Sequence, residues 1–320
     1  MASSKPKKTT AKAKTTAKPK TAAAKTAPKK AVAAKSDKTT AKPVAKTVEK
    51  KVEKRVAKTD KKGFKEVLKD FFAKKCDPSE NILTIFHNKK VYGALIAELL
   101  GTMLLTIILI TLGLYQPLYI FFVVIVVTLA VFKLSGANFN PLITVGMMAS
   151  RRISAIRGVL YILAQIVGAW LGLIIVNAFR TASGAEVDLP VMAEVASFWP
   201  VTMLEFFGST VIAFFFAKAL QYKHSSLTFA VTVAGGVMIA FVAVYLISYN
   251  YFGFTNNFMM NPAIALMHQI LPSSGDTFGA LLGDIALALT TYVIFPMLGG
   301  VVGFYLSDIT SKLNDEDVKM

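Results

Sequence analysis

Six long apolar stretches constrain this chain more than any other feature of its sequence. They cover about residues 91–114, 116–134, 158–179, 201–220, 227–249 and 280–306. Each has roughly the 20 residues that an α-helix needs to cross the hydrocarbon core of a bilayer, and none alternates as a barrel strand does. Since 54% of the 320 residues are hydrophobic, the sequence predicts an all-α membrane protein with six transmembrane helices rather than a soluble domain.

Charge divides the chain into a basic tail and a neutral body. Residues 1–62 carry 21 Lys and Arg against four Asp and Glu, whereas the rest of the chain carries 15 of each sign. The segment is rich in Lys, Ala and Thr and has little to bury, so we expect a disordered tail. Residues 63–90 place Phe and Lys at helical spacing, which fits an amphipathic juxtamembrane segment on the membrane surface as well as an ordinary solvated helix. Residues 309–320 form a short C-terminal tail.

Two kinds of partner fit the basic tail. Lysines near a membrane attract anionic lipid, by about 1 kcal/mol per residue. The same lysines can also bind the phosphates of nucleic acid without reading its bases. No aromatic residue lies between the lysines of this segment, so bases have no surface on which to stack. The composition favours anionic lipid over nucleic acid.

The distribution of charge between the apolar stretches predicts the orientation. With six spans, both termini lie on one side of the membrane. That side holds Lys89, Lys90, Arg151, Arg152, Arg157, Lys218, Lys223 and Lys312. The other side has Arg180 beside the acidic residues Glu186, Asp188, Glu194 and Asp276. The positive-inside rule places both termini in the cytoplasm, although the sequence does not indicate which membrane.

Two interrupted segments each contain an Asn-Pro pair. The first is centred on Asn140, Pro141 and Leu142, and the second on Asn261, Pro262 and Ala263. Asn at the N-cap and Pro at the first helical position form a strong helix start. The apolar runs that follow are too short to span a bilayer, and such helices persist at membrane depth only inside protein or beside a cavity. We therefore expect two re-entrant half-helices.

The two halves of the chain also read as a repeat. Glu98 in the first span and Glu205 in the fourth precede their Asn-Pro sites by 42 and 56 residues. Because each half has three spans, the second half must be inverted, and the half-helices should meet at the midplane from opposite sides. Each helix N-terminus carries about half a positive charge. The sequence thus predicts a pore whose centre repels cations.

These motifs resemble those of the aquaporin, or major intrinsic protein, family over about residues 91–308. The resemblance rests on Ala97-Glu98-x-x-Gly101-Thr102, Ser135-Gly136-Ala137-x-x-Asn140-Pro141, Ala164-Gln165-x-x-Gly168-Ala169, Glu205-Phe206 and Met260-Asn261-Pro262-Ala263. It implies an aquaporin-like fold, a homotetramer with one pore per subunit, and a passive channel rather than an enzyme. The conducted species would be water or small uncharged, glycerol-like solutes, and no cofactor is implied.

The resemblance also implies roles for particular residues. Asn140 and Asn261 would orient the solute in the pore. Glu98 and Glu205 would accept hydrogen bonds from the loop backbone beside the half-helices. Asn138 and Asn257 precede the two motifs. For each of them two roles are open: lining the vestibule or capping the loop.

Several positions depart from the family pattern. Leu142 stands where the first motif usually has Ala, and Ile264 stands where Arg usually follows the second motif. The glycerol-conducting branch adds Asp after that Arg, and here the residue is Ala265. The loss of a guanidinium removes a cation barrier and the main hydrogen-bond donor of the selectivity filter. The chain therefore matches neither the usual water filter nor the usual glycerol filter.

The remaining filter positions are expected to give a more apolar constriction than usual. Phe258 lies three residues before Asn261 and matches one of them, and Ile120 is the position expected from the second span. The fifth span contributes Tyr245, Ser248 or Tyr249. An apolar ring of adequate width passes neutral solutes, whereas a tight one gates by dewetting, so the solute and the state of the pore stay open.

Two alternatives to an open channel remain. One is a structural or tethering protein with a closed pore, whose basic tail holds anionic lipid or nucleic acid at the membrane. The other is a coupled transporter, which needs titratable carboxylates at the midplane beyond Glu98 and Glu205. The three histidines and the single cysteine, Cys76, show no metal-ligand spacing, so no metal is expected.

Overall fold

The computed structural model describes residues 82–112, 116–185, 198–221, 225–253, 258–268 and 278–317. The predicted basic tail, most of the juxtamembrane segment, the end of the C-terminal tail, and the sequence positions Glu186, Asp188, Glu194, Lys223, Asn257 and Asp276 lie outside the described residues. Every regular element in the described part of the chain is a helix. In order these are α1 (Ile82–His87), α2 (Lys89–Leu112), α3 (Pro117–Ser135), α4 (Pro141–Ala149), α5 (Ala155–Ser183), α6 (Phe198–Gln221), α7 (Ser226–Ile247), α8 (Pro262–His268), α9 (Phe278–Leu289) and α10 (Phe295–Asp317).

Six helical segments are long and apolar enough to cross a membrane, as the sequence predicts. They are Lys89–Thr111, Pro117–Ser135, Ala155–Ser183, Phe198–Gln221, Ser226–Phe252 and Gly283–Leu313. The fifth ends in a π-helical turn at Ser248–Phe252, and the sixth joins α9 to α10 through another at Thr290–Ile294. The predicted all-α, six-span fold is therefore confirmed.

The two half-helices begin where the sequence places their caps. Asn140 has an extended backbone, and its Oδ1 accepts a hydrogen bond from the Leu142 amide at 3.1 Å. Asn261 Oδ1 accepts from the Ala263 amide, also at 3.1 Å. The helices α4 and α8 have nine and seven residues, or about 13 and 10 Å at ~1.5 Å per residue. Both are far too short to cross a bilayer.

Close helix packing repeats in the two halves through pairs of glycines. A Cβ added at Gly168 of α5 would overlap with the Leu99 carbonyl of α2, and Gly172 lies one turn further along the same contact. Gly299 and Gly303 of α10 lie equally close to the backbone of α6. Small residues four positions apart allow two membrane helices to approach at backbone distance. The repeat of the sequence is therefore also a repeat of packing.

Substituting Gly168 with alanine should destabilise the protein by about 1–3 kcal/mol, because the new methyl group meets backbone that cannot rotate away. Gly235 of α7 is the matched control, since a Cβ there meets nothing within 4 Å. We expect the thermal unfolding midpoint in detergent to fall for Gly168→Ala and to stay or rise for Gly235→Ala. Equal midpoints in the two variants would contradict the close packing of α5 on α2.

Candidate pore and its two asparagines

The half-helices meet with their N-termini together, and the two asparagines tie them to each other. Asn140 Nδ2 donates to the Met260 carbonyl at 2.7 Å, and Asn261 Nδ2 donates to the Phe139 carbonyl at 3.0 Å. Phe139 and Met260 hold these carbonyls in place with positive φ angles of 53° and 44°. Because a carboxamide has two N–H donors, each asparagine keeps one after making its bond across the junction.

Glu98 fixes the loop before the first half-helix. Its two carboxylate oxygens accept hydrogen bonds from the backbone amides of Asn138 and Phe139, at 3.0 and 2.8 Å. Gln165 Nε2 donates to the same carboxylate at 2.7 Å and to Thr144 Oγ1 at 3.0 Å. Gln165 thereby links α5 to both the loop and α4. The sequence motif that contains Gln165 did not predict this role.

Glu205 does the same for the second loop. It is fully buried and accepts from the backbone amides of Met259 and Met260, at 2.6 and 2.9 Å. Three residues after Glu205, Gly208 leaves room for the Met260 side chain, as Gly101 leaves room for the Phe139 ring. The repeated Glu-x-x-Gly pattern therefore combines an acceptor for the loop with space for the residue before each asparagine.

The far end of α4 is also anchored. Arg152 forms a salt bridge of 2.6 Å with Asp308 of α10, to which Gln221 also donates at 2.7 Å. The Tyr305 hydroxyl donates to the Ala149 carbonyl, the last of the half-helix, at 3.1 Å. In the sequence, Arg152 is one of the positive charges that predict the orientation of the chain. In the structure, its side chain also helps to hold the first half-helix on the side where α2 begins.

A cavity of about 60 Å³ lies between the half-helix junction and four of the long helices. This volume exceeds the ~10–15 Å³ that one water molecule requires. Asn140 and Asn261 both line it, while most of the remaining wall is hydrocarbon, from Leu105 of α2 and Val124 of α3 to Phe241 of α7. The asparagine pair thus borders an apolar space of molecular size.

The expected filter positions do not all lie on this cavity. Ile120 lines it and is 2% exposed. Phe258, Ile264 and Ser248 are fully buried but form no part of the cavity wall. Of the open choices in the fifth span, Ser248 is fully buried, Tyr245 is half-buried and Tyr249 is 59% exposed. A constriction formed by these residues stays a prediction.

Two leucines of α2 that the sequence did not single out pack against the cluster that contains Ile264. Ile264 clusters with Ala169 and Ala263, and Leu105 and Leu109 pack against this cluster. Both leucines line the cavity. In the sequence they are only two apolar residues four positions apart. Every face of the apolar helix α2 has such pairs, so the spacing does not show which face meets the cavity.

Residues 85–308 match the sequence pattern of the family described as Major intrinsic protein. This is well over half of the chain. The chain belongs to the major intrinsic protein family. The predicted family is therefore confirmed. A member of this family is a passive transmembrane channel for water or small solutes, embedded as a multi-pass membrane protein, and not an enzyme.

Individual relatives are distant or match in part. Glycerol uptake facilitator protein-like 6 of Lactiplantibacillus plantarum is 26% identical over 183 residues, covering 55% of this chain and 75% of the relative. Probable aquaporin PIP2-1 of Oryza sativa subsp. japonica is 43% identical over 49 residues, which are 15% of this chain and 17% of the relative. Among solved structures, the aquaglyceroporin from Plasmodium falciparum is 20% identical with a TM-score of 0.44, covering 68% of this chain and 94% of that one.

Proposed function

We propose that the pore conducts water and small uncharged, glycerol-like solutes through a constriction without the usual arginine. The supporting observation is the cavity lined by Asn140 and Asn261. Each asparagine uses one amide hydrogen to join the half-helices, so the other is available to a passing oxygen atom. A solute with a lone pair can thus replace part of its hydration at the centre of an otherwise apolar path.

Exclusion of ions in this pore does not need a filter arginine. Ile264 places hydrocarbon in an apolar cluster where the guanidinium usually lies. Two barriers remain for a cation: the loss of its hydration in an apolar cavity and the positive ends of the α4 and α8 dipoles, which meet at the asparagine pair. Both barriers act on charge, so neutral solutes pass more freely than ions.

Assembly and orientation form part of the same proposal. We place both termini in the cytoplasm, since Arg151, Arg152 and Arg157 follow the end of α4. The outer surface of the helices carries large exposed side chains such as Trp170 and Phe207, which suits contact with lipid or with neighbouring subunits of a homotetramer. The basic tail would add contact with anionic lipid at the cytoplasmic surface.

Stopped-flow light scattering of proteoliposomes tests the conduction. We expect wild-type vesicles to shrink faster than empty vesicles after a sucrose shock, and to re-swell faster in glycerol. Ile264→Arg should lower glycerol entry about tenfold relative to water, because a guanidinium would narrow the proposed apolar ring and place hydrogen-bond donors in it. Urea entry relative to water should also be lower in Ile264→Arg than in the wild type.

Ile264→Leu is the matched control, since it keeps the volume and the apolar character of the site. We expect its glycerol-to-water ratio to stay within about twofold of the wild type. Size-exclusion profiles establish that each variant is folded before its flux is compared. A folded wild type that is silent under every shock would overturn the channel proposal and favour a closed-pore protein that tethers anionic lipid.

A further inference from the structure

Two polar side chains lie buried in the wall of the cavity. Thr128 is 1% exposed and Asn138 is 4% exposed. Within the part of the chain that the structure describes, the Thr128 hydroxyl and both side-chain atoms of the Asn138 amide have no hydrogen-bond partner. A buried polar group without a partner is costly, and both side chains line the cavity. Their partner is therefore whatever enters the cavity.

The two side chains line the same cavity from neighbouring segments of the fold. Val127 of α3 packs in one cluster with Ala137 and Phe139, so the residues that adjoin Thr128 and Asn138 in sequence are in contact. Thr128 is eight residues along α3 from Ile120, about 12 Å at ~1.5 Å per residue. The pair therefore lies toward the end of α3 at Ser135, away from the expected filter.

The backbone holds Asn138 in position. Its amide nitrogen donates to Glu98 at 3.0 Å, so its side chain extends from a loop that is already fixed. Together the carboxamide and the hydroxyl offer three N–H or O–H donors and several acceptor lone pairs. The asparagine pair at the junction of the half-helices, by contrast, has its side-chain oxygens engaged in capping and presents mainly donors.

We propose that Thr128 and Asn138 form a second solute-binding site, which favours small polyols over other neutral solutes. This rests on the proposed conduction of neutral solutes. A polyol loses many hydrogen bonds to water in an apolar cavity and, unlike a file of water molecules, cannot replace them with its own neighbours. A site with both donors and acceptors beside the asparagine pair supplies partners for two hydroxyl groups of one molecule.

Thr128→Val tests the site without changing the width of the pore, because valine has nearly the shape of threonine. We expect glycerol permeability in proteoliposomes to fall about fivefold, the effect of one hydrogen bond, while water permeability changes less than twofold. Thr106→Val is the matched control: Thr106 is buried, its hydroxyl already donates to the Thr102 carbonyl at 2.8 Å, and it is not part of the cavity wall. An equal glycerol-to-water ratio in wild type and Thr128→Val overturns the proposal.

Thiol labelling separates this proposal from the proposed conduction, since it needs no flow through the whole pore. The reporter is Val124→Cys, which lines the cavity, in a Cys76→Ala background that removes the single native cysteine. We expect glycerol to slow its labelling by a small neutral methanethiosulfonate, sucrose of equal osmolarity to have no effect, and the protection to disappear when Thr128→Val is added. If glycerol slows labelling in a protein that shows no flux, the binding site is supported and the proposed conduction is refuted. Absence of protection refutes the site, whether or not the protein conducts.

Discussion

Replacing Glu205 with leucine should abolish conduction and strongly destabilise the protein. The carboxylate accepts the backbone amides of Met259 and Met260, and leucine would leave both unpaired in a fully buried position. Hydrogen bonds to a charged group contribute about 1.5–3 kcal/mol each, so we expect a loss of ~3–6 kcal/mol. The readouts are the thermal unfolding midpoint in detergent and the water permeability of proteoliposomes.

Glu205→Gln is the graded control for this effect. Glutamine keeps one acceptor oxygen but turns an N–H group toward the other backbone amide, so its stability and flux should lie between those of wild type and Glu205→Leu. Glu98→Leu in the first repeat should behave like Glu205→Leu, with the added loss of the Gln165 contact. A leucine variant at Glu205 with wild-type stability would show that the carboxylate does not hold the loop.

Much of the fold follows from local signals in the sequence. Apolar runs of bilayer length predict the six spans, and Asn-Pro pairs predict where α4 and α8 begin. The ends of the spans do not follow from the apolar runs, because a helix ends where its caps are and can extend past its apolar residues. The helix α5 runs from Ala155 to Ser183, beyond the apolar stretch, because Ser154 caps its start at the Arg157 amide and Gly184 ends it with a φ of 73°. The two π-helical turns have no local signal of this kind.

The composition of the cavity wall was less predictable than the fold. Asn140 and Asn261 stand out because their capping role leaves a local motif. Leu105, Leu109 and Thr128 have no such motif, since the packing of several helices from distant parts of the chain decides which face of each helix meets the cavity. For the same reason the sequence alone did not show that leucines of α2 pack against the cluster that contains Ile264.

Asn261→Leu should lower water permeability more than tenfold, because this side chain has three separate functions. Its Oδ1 caps α8 at the Ala263 amide, and its Nδ2 joins the half-helices at the Phe139 carbonyl. In the proposed function, the remaining amide hydrogen contacts the solute. The lost cap and the lost hydrogen bond should together cost about 1.5–3 kcal/mol of stability. Asn250→Leu is the matched control, since Asn250 is exposed and donates only within its own helix, to the Leu246 carbonyl.

Asn261→Asp separates the capping oxygen of Asn261 from its two amide hydrogens. Aspartate keeps the capping oxygen, which the positive end of the helix dipole favours. When ionised it has no hydrogen to donate, either to the Phe139 carbonyl or to a solute. We expect this variant to unfold at a higher temperature than Asn261→Leu and still to conduct water poorly, measured by stopped-flow light scattering at matched protein density. If Asn261→Asp conducts water as well as wild type, then conduction needs neither the hydrogen bond from Asn261 to the Phe139 carbonyl nor its second amide hydrogen, and Asn261 serves the pore only as the cap of α8.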